Sequence, residues 1–220
     1  MSLFRTPYFI NHDRRERFPW SLYHRPLQAG FRRIIGAAKE RLRRTPRVLV
    51  VGCGLEPIFP GVDAIFYGCD IDPYAIEACR KRYPGMAERL AICPHPYALP
   101  EEEAFRNPFD VVLAKEVIEH VEDPERWARL LAERVAPRGS LALSTPNYGL
   151  ESTLGLIERT ALEWIARFDG YSRRHIHLSK FDRKRLASLD LGPEMELIEI
   201  DIPWTRWTLL GHWRRIGPST

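Results

Sequence analysis

From Arg47 onward, the sequence alternates short, continuous apolar runs with segments of helical periodicity. Continuous apolar runs predict strands buried on both faces, and their alternation with helices is typical of a parallel sheet covered on both sides. We predict strands over 47–51, 63–69, 90–93, 109–114, 140–145 and 195–202, and helices over 28–44, 73–83, 125–136, 150–168 and 181–189. The sequence therefore predicts an α/β fold, a three-layer sandwich around a mostly parallel sheet.

No internal repeat, low-complexity tract or Gly/Ser linker interrupts the sequence, which favours one continuous domain. Within it we distinguish four segments by pattern. They are a basic and aromatic N-terminal segment (1–46), a central α/β core (47–147), a helical insert (148–192), and the last strands with an aromatic tail (193–220). We expect the first and third segments to form a cap over a binding pocket.

Composition excludes an integral membrane protein. Hydrophobic residues make up 45% and charged residues 28% of the 220 positions, and no apolar run approaches the ~20 residues that a spanning helix needs. The N-terminus has no apolar stretch typical of a secretory signal, so we expect a cytoplasmic protein. The four cysteines form no C-x-x-C pair, and we expect reduced, buried thiols.

Positive charge is concentrated near the N-terminus. Residues 1–47 contain 12 Lys or Arg against 3 Asp or Glu, whereas the net charge of the whole chain is +4. Such a segment is compatible with a solvated helix face, and also with an anionic partner such as a nucleic acid.

The loops that follow strands one and two have the composition of a ligand site. In an open α/β sheet, ligands bind at the carboxyl ends of the strands. Gly52-Cys53-Gly54 follows strand one, where glycines allow a sharp turn and a close approach of the backbone to a ligand. Asp70 stands at the end of strand two, where its carboxylate can accept both hydroxyls of a ribose. Asp72 and Pro73 are typical of a helix N-terminus, so we expect Asp72 to be the N-cap.

The loop after strand four carries further ionisable residues, in the order Lys115-Glu116-Val117-Ile118-Glu119-His120. Glu116, Glu119 and His120 have the spacing i, i+3, i+4, which one helical turn places on one face. Two interpretations stay open. His120 contributes to a catalytic wall, or the three side chains bind a divalent cation; we expect no metal and keep this cation site as the alternative.

Four stretches together resemble the class I methyltransferases of the small-molecule group, including the ubiquinone-biosynthesis O-methyltransferases. They are RVLVVGCG, YGCDIDPYAI, FDVVLAKEVIEHVEDPERW and PRGSLALSTPN, and they lie in family order over residues 47–147. The resemblance implies a Rossmann-like fold and S-adenosylmethionine as cofactor. It also implies Gly52, Cys53 and Gly54 at the methionine end, Asp70 on the ribose, Ile71 against the adenine, and Lys115 near the tip of strand four.

Three positions depart from the family pattern. Val50 replaces an acid in strand one, Glu56 replaces the third glycine, and His95 stands where an acid near the adenine is expected. We weigh two roles for Glu56, which either contacts the α-ammonium of the cofactor or points to solvent. Only 18 positions separate Gly52 from Asp70 and they include two prolines, so the helix that normally follows strand one is expected to be short or absent. A short connection also argues against a dinucleotide, whose pyrophosphate needs a helix N-terminus there.

We infer methyl transfer to an O, N or C atom of a small acceptor, which the aromatic residues of the cap suggest is planar or lipid-like. Besides His120, His175 in the insert is a candidate catalytic base, because an imidazole titrates near neutral pH. Two alternatives stay open: a non-catalytic binding protein with this fold, and a nucleic-acid methyltransferase. The second is disfavoured because Thr145-Pro146-Asn147-Tyr148 follows strand five, whereas enzymes that hold a flipped base carry such a motif after strand four.

Overall fold

The computed structural model describes residues 20–156 and 177–217, without the side chains of Trp20 and Tyr23. The helices of these ranges are α1 (Trp20–Leu42), α2 (Pro73–Arg82), α3 (Glu103–Arg106), α4 (Pro124–Glu133) and α5 (Arg183–Ala187). The strands are β1 (Arg47–Val51), β2 (Ile65–Asp70), β3 (Leu90–Ile92), β4 (Phe109–Lys115), β5 (Val135–Pro146), β6 (Met195–Asp201) and β7 (Thr208–Arg215). Short 3₁₀ turns cover Pro84–Arg89 and Ile118–His120.

The strands form one seven-stranded sheet in the order β3-β2-β1-β4-β5-β7-β6. The pairs β1–β2, β1–β4, β2–β3 and β4–β5 are parallel, and β7 runs antiparallel to both of its neighbours. One buried cluster joins the sheet to residues of α1 and α2, and a second joins it to residues of α3, α4 and α5. The predicted three-layer α/β sandwich with a mostly parallel sheet is therefore confirmed.

Strand β1 shows why the apolar runs form the centre of this sheet. Val48 and Val50 belong to the cluster under α1 and α2, whereas Leu49 and Val51 belong to the opposite cluster, because successive side chains of a strand point to opposite faces. All four side chains are at most 5% exposed. Full burial stabilises the fold by about 1.5–3 kcal/mol for each such side chain.

Aspartate and proline together fix the start of two helices. Asp72 accepts a hydrogen bond from the backbone N–H of Tyr74 and precedes Pro73 at the first helical position, which confirms the predicted N-cap of α2. Asp123 accepts from the backbone N–H of Arg126 and precedes Pro124 in the same way. Each cap satisfies an N–H group that has no partner within the helix.

Several predicted boundaries differ from the structure. The segment between β1 and β2 contains turns and no helix, as expected from its prolines. Pro137-Arg138-Gly139 has the composition of a turn but lies inside β5, where the pairing with β4 shifts register after Phe109. Arg138 takes a left-handed conformation (φ 62°) there, so this segment makes an irregularity in the strand rather than a chain reversal. The aromatic tail supplies β7, which the sequence pattern does not indicate.

Helix α1 begins at Trp20, before the predicted start at Gln28, and it contains Pro26 within its first turns. Its core-facing stripe packs against β4, β5 and β7 and is fully buried: Leu27, Phe31, Ile34, Ile35 and Ala38. Residues 1–19 and 157–176, which include most of the predicted cap, lie outside the described residues. Among the described helices, none combines the length and hydrophobicity needed to cross a membrane. The four cysteines are free and buried, as predicted.

A buried histidine lies between α1 and the sheet. His212 on β7 is 6% exposed, and its Nε2 lies 3.2 Å from the Ser140 hydroxyl. Burial is the largest cause that lowers the pKa of His212 to about 4; Glu199 opposes it, and the charges of Arg214, Arg33 and Arg41 act in the same direction as burial. The imidazole is therefore neutral in the folded protein at physiological pH.

This lowered pKa predicts a loss of stability in mild acid. Between pH 6.5 and 4 the unfolded chain binds a proton at His212 that the folded protein does not bind, so the free energy of unfolding falls as the pH falls. In the parent, we expect the titration of His212 to lower the free energy of unfolding by about 2 kcal/mol between roughly pH 7 and pH 5. The His212→Gln variant should lack this part of the loss. Urea unfolding of both proteins at the two pH values measures this difference. An equal loss in both would contradict the assignment to His212.

Candidate active site at the strand tips

The tips of β1, β2 and β4 lie side by side at one edge of the sheet. Val51, the last residue of β1, is in register with Cys69 of β2 and with Ala114 of β4. The loops that begin at Gly52, Ile71 and Glu116 therefore leave the sheet at the same level. This is the edge at which the sequence places the cofactor.

Gly52 and Gly54 both take the left-handed conformation, with φ of 64° and 52°. A Cβ on Gly52 would also lie 2.5 Å from Cγ2 of Val117, so the loop after β4 packs directly on this glycine. The backbone turn after β1 thus requires glycine for conformation and for space. It leaves main-chain atoms, rather than side chains, at the tip of the strand.

The Asp70 carboxylate joins two of the three loops. Its Oδ2 accepts a hydrogen bond of 2.8 Å from the Gly54 N–H, and its Oδ1 accepts one of 2.9 Å from the Asp72 N–H. Burial raises the pKa of Asp70, and the hydrogen bonds from these backbone groups oppose this effect. The side chain predicted to hold the ribose therefore lies at the predicted strand tip and fixes the glycine turn beside it.

Ile71 and Cys53 flank this carboxylate in different ways. Ile71 is 49% exposed, so an apolar side chain faces solvent directly after Asp70. Cys53 is buried, and its thiol and that of Cys79 lie 3.7 and 3.2 Å from the Gly54 carbonyl oxygen. A hydrogen bond with the Cys79 thiol and burial raise the pKa of Cys53 well above its ordinary value. Cys53 is therefore a protonated, structural thiol.

Lys115 and Glu56 form an ion pair beside the first loop. The Lys115 Nζ donates to Glu56 Oε2, and the two side chains are 14% and 27% exposed. Glu56 is therefore turned toward the tip of β4 rather than toward solvent. Glu56 already binds an ammonium group, that of Lys115, at this position. Its carboxylate is therefore suited to a cationic partner.

The acids that the family usually carries in β1 and after β3 have no substitute at their own positions. Val50 is 3% exposed and packs in the core cluster under α1 and α2. His95 is exposed in the loop after β3, and its Nδ1 accepts a hydrogen bond of 3.2 Å from the Tyr97 N–H. Neither position therefore supplies the acid that the resemblance leads us to expect.

The loop after β4 does not form the single helical turn that we predict for Glu116, Glu119 and His120. Glu116 takes a left-handed conformation (φ 58°), and only Ile118–His120 form a 3₁₀ turn. The Glu116 N–H and carboxylate both bond the Ser144 hydroxyl on β5, at 3.1 and 3.0 Å. The backbone reversal and these bonds separate Glu116 from the other two residues.

A different residue, His177, joins Glu119 and His120. Glu119 is buried at 1% exposure, and its Oε1 lies 3.8 Å from His120 Nε2. The imidazole rings of His120 and His177 meet edge to face, with centroids 5.0 Å apart. The Ser179 N–H donates to the Glu119 carbonyl oxygen at 3.0 Å, which fixes the segment that carries His177.

Tyr148 completes this group of side chains. Its hydroxyl lies 2.6 Å from Nδ1 of His177, and Lys180 Nζ stands 5.4 Å from the centre of its ring. His175, the predicted base of the insert, lies outside the described residues. His177 is two positions further along the same Arg-Arg-His-Ile-His stretch. The sequence signal for it is that this stretch contains a second histidine.

The donor set of this group does not fit magnesium as the divalent cation. Ligand atoms of Glu119, His120 and His177 lie within 4.8 Å of one another, so two imidazole nitrogens stand with one carboxylate. Magnesium prefers oxygen ligands, and the Glu116 carboxylate bonds Ser144 instead. We therefore derive no catalytic step through a metal ion.

Comparisons with known proteins agree with this geometry. A family model described as a methyltransferase domain matches residues 20–189. The mitochondrial ubiquinone biosynthesis O-methyltransferase of Schizosaccharomyces pombe is 34% identical over 105 residues, which cover 45% of this chain and 37% of that protein. The ubiquinone biosynthesis O-methyltransferase of Neisseria meningitidis serogroup C is 34% identical over 131 residues, covering 57% and 53%. The chain thus spans about half or less of the length of these relatives.

Solved structures share the architecture at low identity. Magnesium protoporphyrin IX methyltransferase from Synechocystis PCC 6803, crystallised with bound SAH, is 15% identical with a TM-score of 0.57, covering 94% of this chain and 99% of that one. The CurJ carbon methyltransferase is 14% identical with a TM-score of 0.60, covering 86% and 54%. The family match spans more than half of the sequence. The chain therefore belongs to the methyltransferase-domain family, and it shares the α/β architecture of these solved structures.

Proposed function

We propose that the protein transfers the methyl group of S-adenosylmethionine to an oxygen, nitrogen or carbon atom of a small acceptor. The observation that carries this proposal is the junction made by Asp70, whose carboxylate lies between the glycine turn after β1 and the start of α2. A carboxylate held by backbone N–H groups at a strand tip is suited to accept the two hydroxyls of a ribose.

The remaining cofactor contacts follow from the positions of neighbouring residues. The main chain of Gly52, Cys53 and Gly54 faces the methionine end, where no side chain blocks a close approach. Ile71 offers exposed apolar surface for the adenine. Lys115 and Glu56 stand at the methionine end, where the Glu56 carboxylate binds the α-ammonium and Lys115 the α-carboxylate. This arrangement takes the place of the acid that is expected in β1, where this chain has Val50.

Methyl transfer from a sulfonium is a displacement, so the acceptor lone pair must lie in line with the methyl group. Holding two reactants in this geometry supplies about 7–11 kcal/mol of the barrier reduction. A general base contributes roughly 10²–10⁴-fold when the acceptor must lose a proton. The fold therefore provides most of the catalysis by binding, and a base adds to it for hydroxyl acceptors.

His120 and His177 are the bases that we assign to the acceptor side. The two rings pack edge to face beside the loop that follows β4, and the Tyr148 hydroxyl, 2.6 Å from Nδ1 of His177, orients the His177 ring. Glu119 lies beside His120, with its Oε1 3.8 Å from His120 Nε2, and helps to position that ring. His175, two residues before His177, remains a second candidate base from the insert.

The acceptor itself is proposed to be planar and aromatic or lipid-like. Segments 1–46 and 148–192 would shape its pocket as a cap on the 47–147 core, with 193–220 completing the sheet. The relatives that act on ubiquinone precursors by name support an O-methyl acceptor of this kind. We also propose a cytoplasmic location. The comparisons provide no support for the nucleic-acid or non-catalytic alternatives.

Replacement of Asp70 tests the cofactor assignment. We expect Asp70→Asn to raise the Kd for S-adenosylmethionine by roughly 10–100-fold, because charge-assisted hydrogen bonds are worth about 1.5–3 kcal/mol. Isothermal titration measures the Kd of each protein. Asp190→Asn is the matched control, because Asp190 is exposed and pairs with Arg129 away from the strand tips. Unchanged affinity in folded Asp70→Asn would refute the ribose assignment.

Replacement of Gly52 tests the backbone turn. We expect Gly52→Ala to lose S-adenosylmethionine binding, because its positive φ and the 2.5 Å approach of Val117 both oppose a Cβ. Gly36→Ala is the control, since a Cβ there meets nothing within 4 Å and Gly36 is in the helix α1. Titration with S-adenosylmethionine and thermal unfolding are measured for both variants. Binding at the parental Kd by Gly52→Ala would show that the turn is not part of the cofactor site.

Replacement of His177 tests the acceptor side. With the best acceptor from a panel of catechols, phenols and amines, we expect His177→Asn to lower kcat by roughly 10²–10⁴-fold and to leave the Kd for S-adenosylmethionine unchanged. The parent should lose activity in acid as the base is protonated, and the variant should lack this limb of the pH profile. A variant with the parental kcat and pH profile would exclude His177 as the base.

A further inference from the structure

Three arginines meet at the amino edge of the sheet, opposite the edge that carries the cofactor loops. Arg41 lies in the last turn of α1, Arg138 in the irregular part of β5, and Arg214 near the end of β7. We call this group the arginine cluster. It has no role in the methyl-transfer site and is independent of the function proposed above.

The path of α1 across the sheet brings the cluster together. Gly30 packs on β7, where a Cβ would lie 2.5 Å from Leu210 Cδ2, and Arg41 is three turns further along the helix. Arg41 extends the buried stripe that ends at Ala38, and it therefore faces the sheet. Leu210 and Arg214 lie on the same face of β7 because they are four residues apart.

Arg138 joins the other two through the β5–β7 ladder and a direct hydrogen bond. Ser140 of β5 is in register with Arg214, so Arg138 stands two residues before that pair. The Arg41 Nη2 donates to the Arg138 carbonyl oxygen at 3.0 Å. The cluster thus combines one half-buried guanidinium from α1 and one from β7 with the exposed Arg138 at its solvent side.

The Nε–H groups of Arg41 and Arg214 are buried and have no acceptor among the described residues. Burial, followed by the charges of Arg214 and Arg138, lowers the pKa of Arg41. Asp110 acts on Arg41 from a distance, but its two oxygens accept from the Arg44 guanidinium at 2.7 Å each. In the described part of the chain, none of the three guanidiniums forms an ion pair.

Other arginines of the same region do have carboxylate partners. Arg33 on α1 bonds Glu199 and Asp201 of β6, and Arg215, next to Arg214, bonds Glu194. A buried donor without an acceptor is destabilising, and clustered like charges add to this cost. The cluster is therefore unfavourable as it stands, and an anion that accepts from the Nε–H groups removes both penalties.

We propose that the arginine cluster binds the phosphate group of a ligand. Guanidinium forks donate two parallel hydrogen bonds to phosphate oxygens. A phosphate monoester offers three acceptor oxygens and a charge of about −2, which match the two half-buried guanidiniums and the third cation at the solvent side; a carboxylate offers two oxygens and one charge. Free phosphate, a soluble phosphate ester and a lipid headgroup share this chemistry.

Titration with inorganic phosphate against chloride at equal ionic strength tests the proposal on the full chain. We expect phosphate to bind and to raise the Tm of the parent, and we expect Arg41→Gln and Arg214→Gln to weaken phosphate binding at least tenfold. Without phosphate, both variants should be as thermally stable as the parent or more stable, because a repelling charge and a buried donor are removed. Arg183→Gln, at an exposed arginine of α5, is the matched control and should bind like the parent.

Arg41→Lys keeps the charge but loses the fork, so it should also bind phosphate more weakly; this variant tests the proposal if Arg41→Gln does not fold.

Co-sedimentation with phosphatidylcholine vesicles, with and without phosphatidic acid, separates the possible sources of the phosphate group. Binding only to vesicles that contain phosphatidic acid indicates a lipid headgroup, and binding of free phosphate alone indicates a soluble ligand. The proposal is overturned if the parent responds equally to phosphate and chloride, or if Arg183→Gln loses as much affinity as Arg41→Gln. Titration with S-adenosylmethionine should be unchanged in every variant.

Discussion

The parallel pairing of β1 with β2 on one side and β4 on the other is the constraint on which the rest of the structure depends. Val51 lies level with Cys69 and Ala114, and burial of both faces of β1 prevents any shift of this register, because a slip by one residue would exchange the side chains of the two cores. The three loops of the proposed cofactor site therefore start from one level. Asp70 then ties two of them together through backbone N–H groups.

The two edges of the sheet carry different groups of charged side chains. The carboxyl edge concentrates acceptors and titratable side chains, with Asp70, Glu56 and Glu119 each held by specific partners. The amino edge collects guanidiniums from α1, β5 and β7. The same helix that buries Leu27 and Phe31 against the sheet delivers Arg41 to this edge, so core packing and surface charge follow from one amphipathic stripe.

The positions of the residues proposed to bind the cofactor were largely predictable. Gly52, Gly54 and Asp70 lie within a few residues of strand ends, and strand ends follow from buried apolar runs that the sequence displays directly. The positions of the residues proposed for the acceptor side were not. The predicted turn over Glu116, Glu119 and His120 failed because Ser144 on β5 holds Glu116 in a left-handed conformation, and His177 came to His120 from 57 positions away along the chain.

The sequence by itself determined the α/β class, the order of the strands along the chain, the absence of a helix after β1 and the Asp72 cap, because each depends on local periodicity, proline geometry or a neighbouring N–H. Tertiary structure alone decided the strand β7, the pairing of Glu56 with Lys115, the group of His120, His177 and Tyr148, and the arginine cluster. These features join residues that are distant in sequence, and their energies depend on burial and distance, which no local pattern specifies.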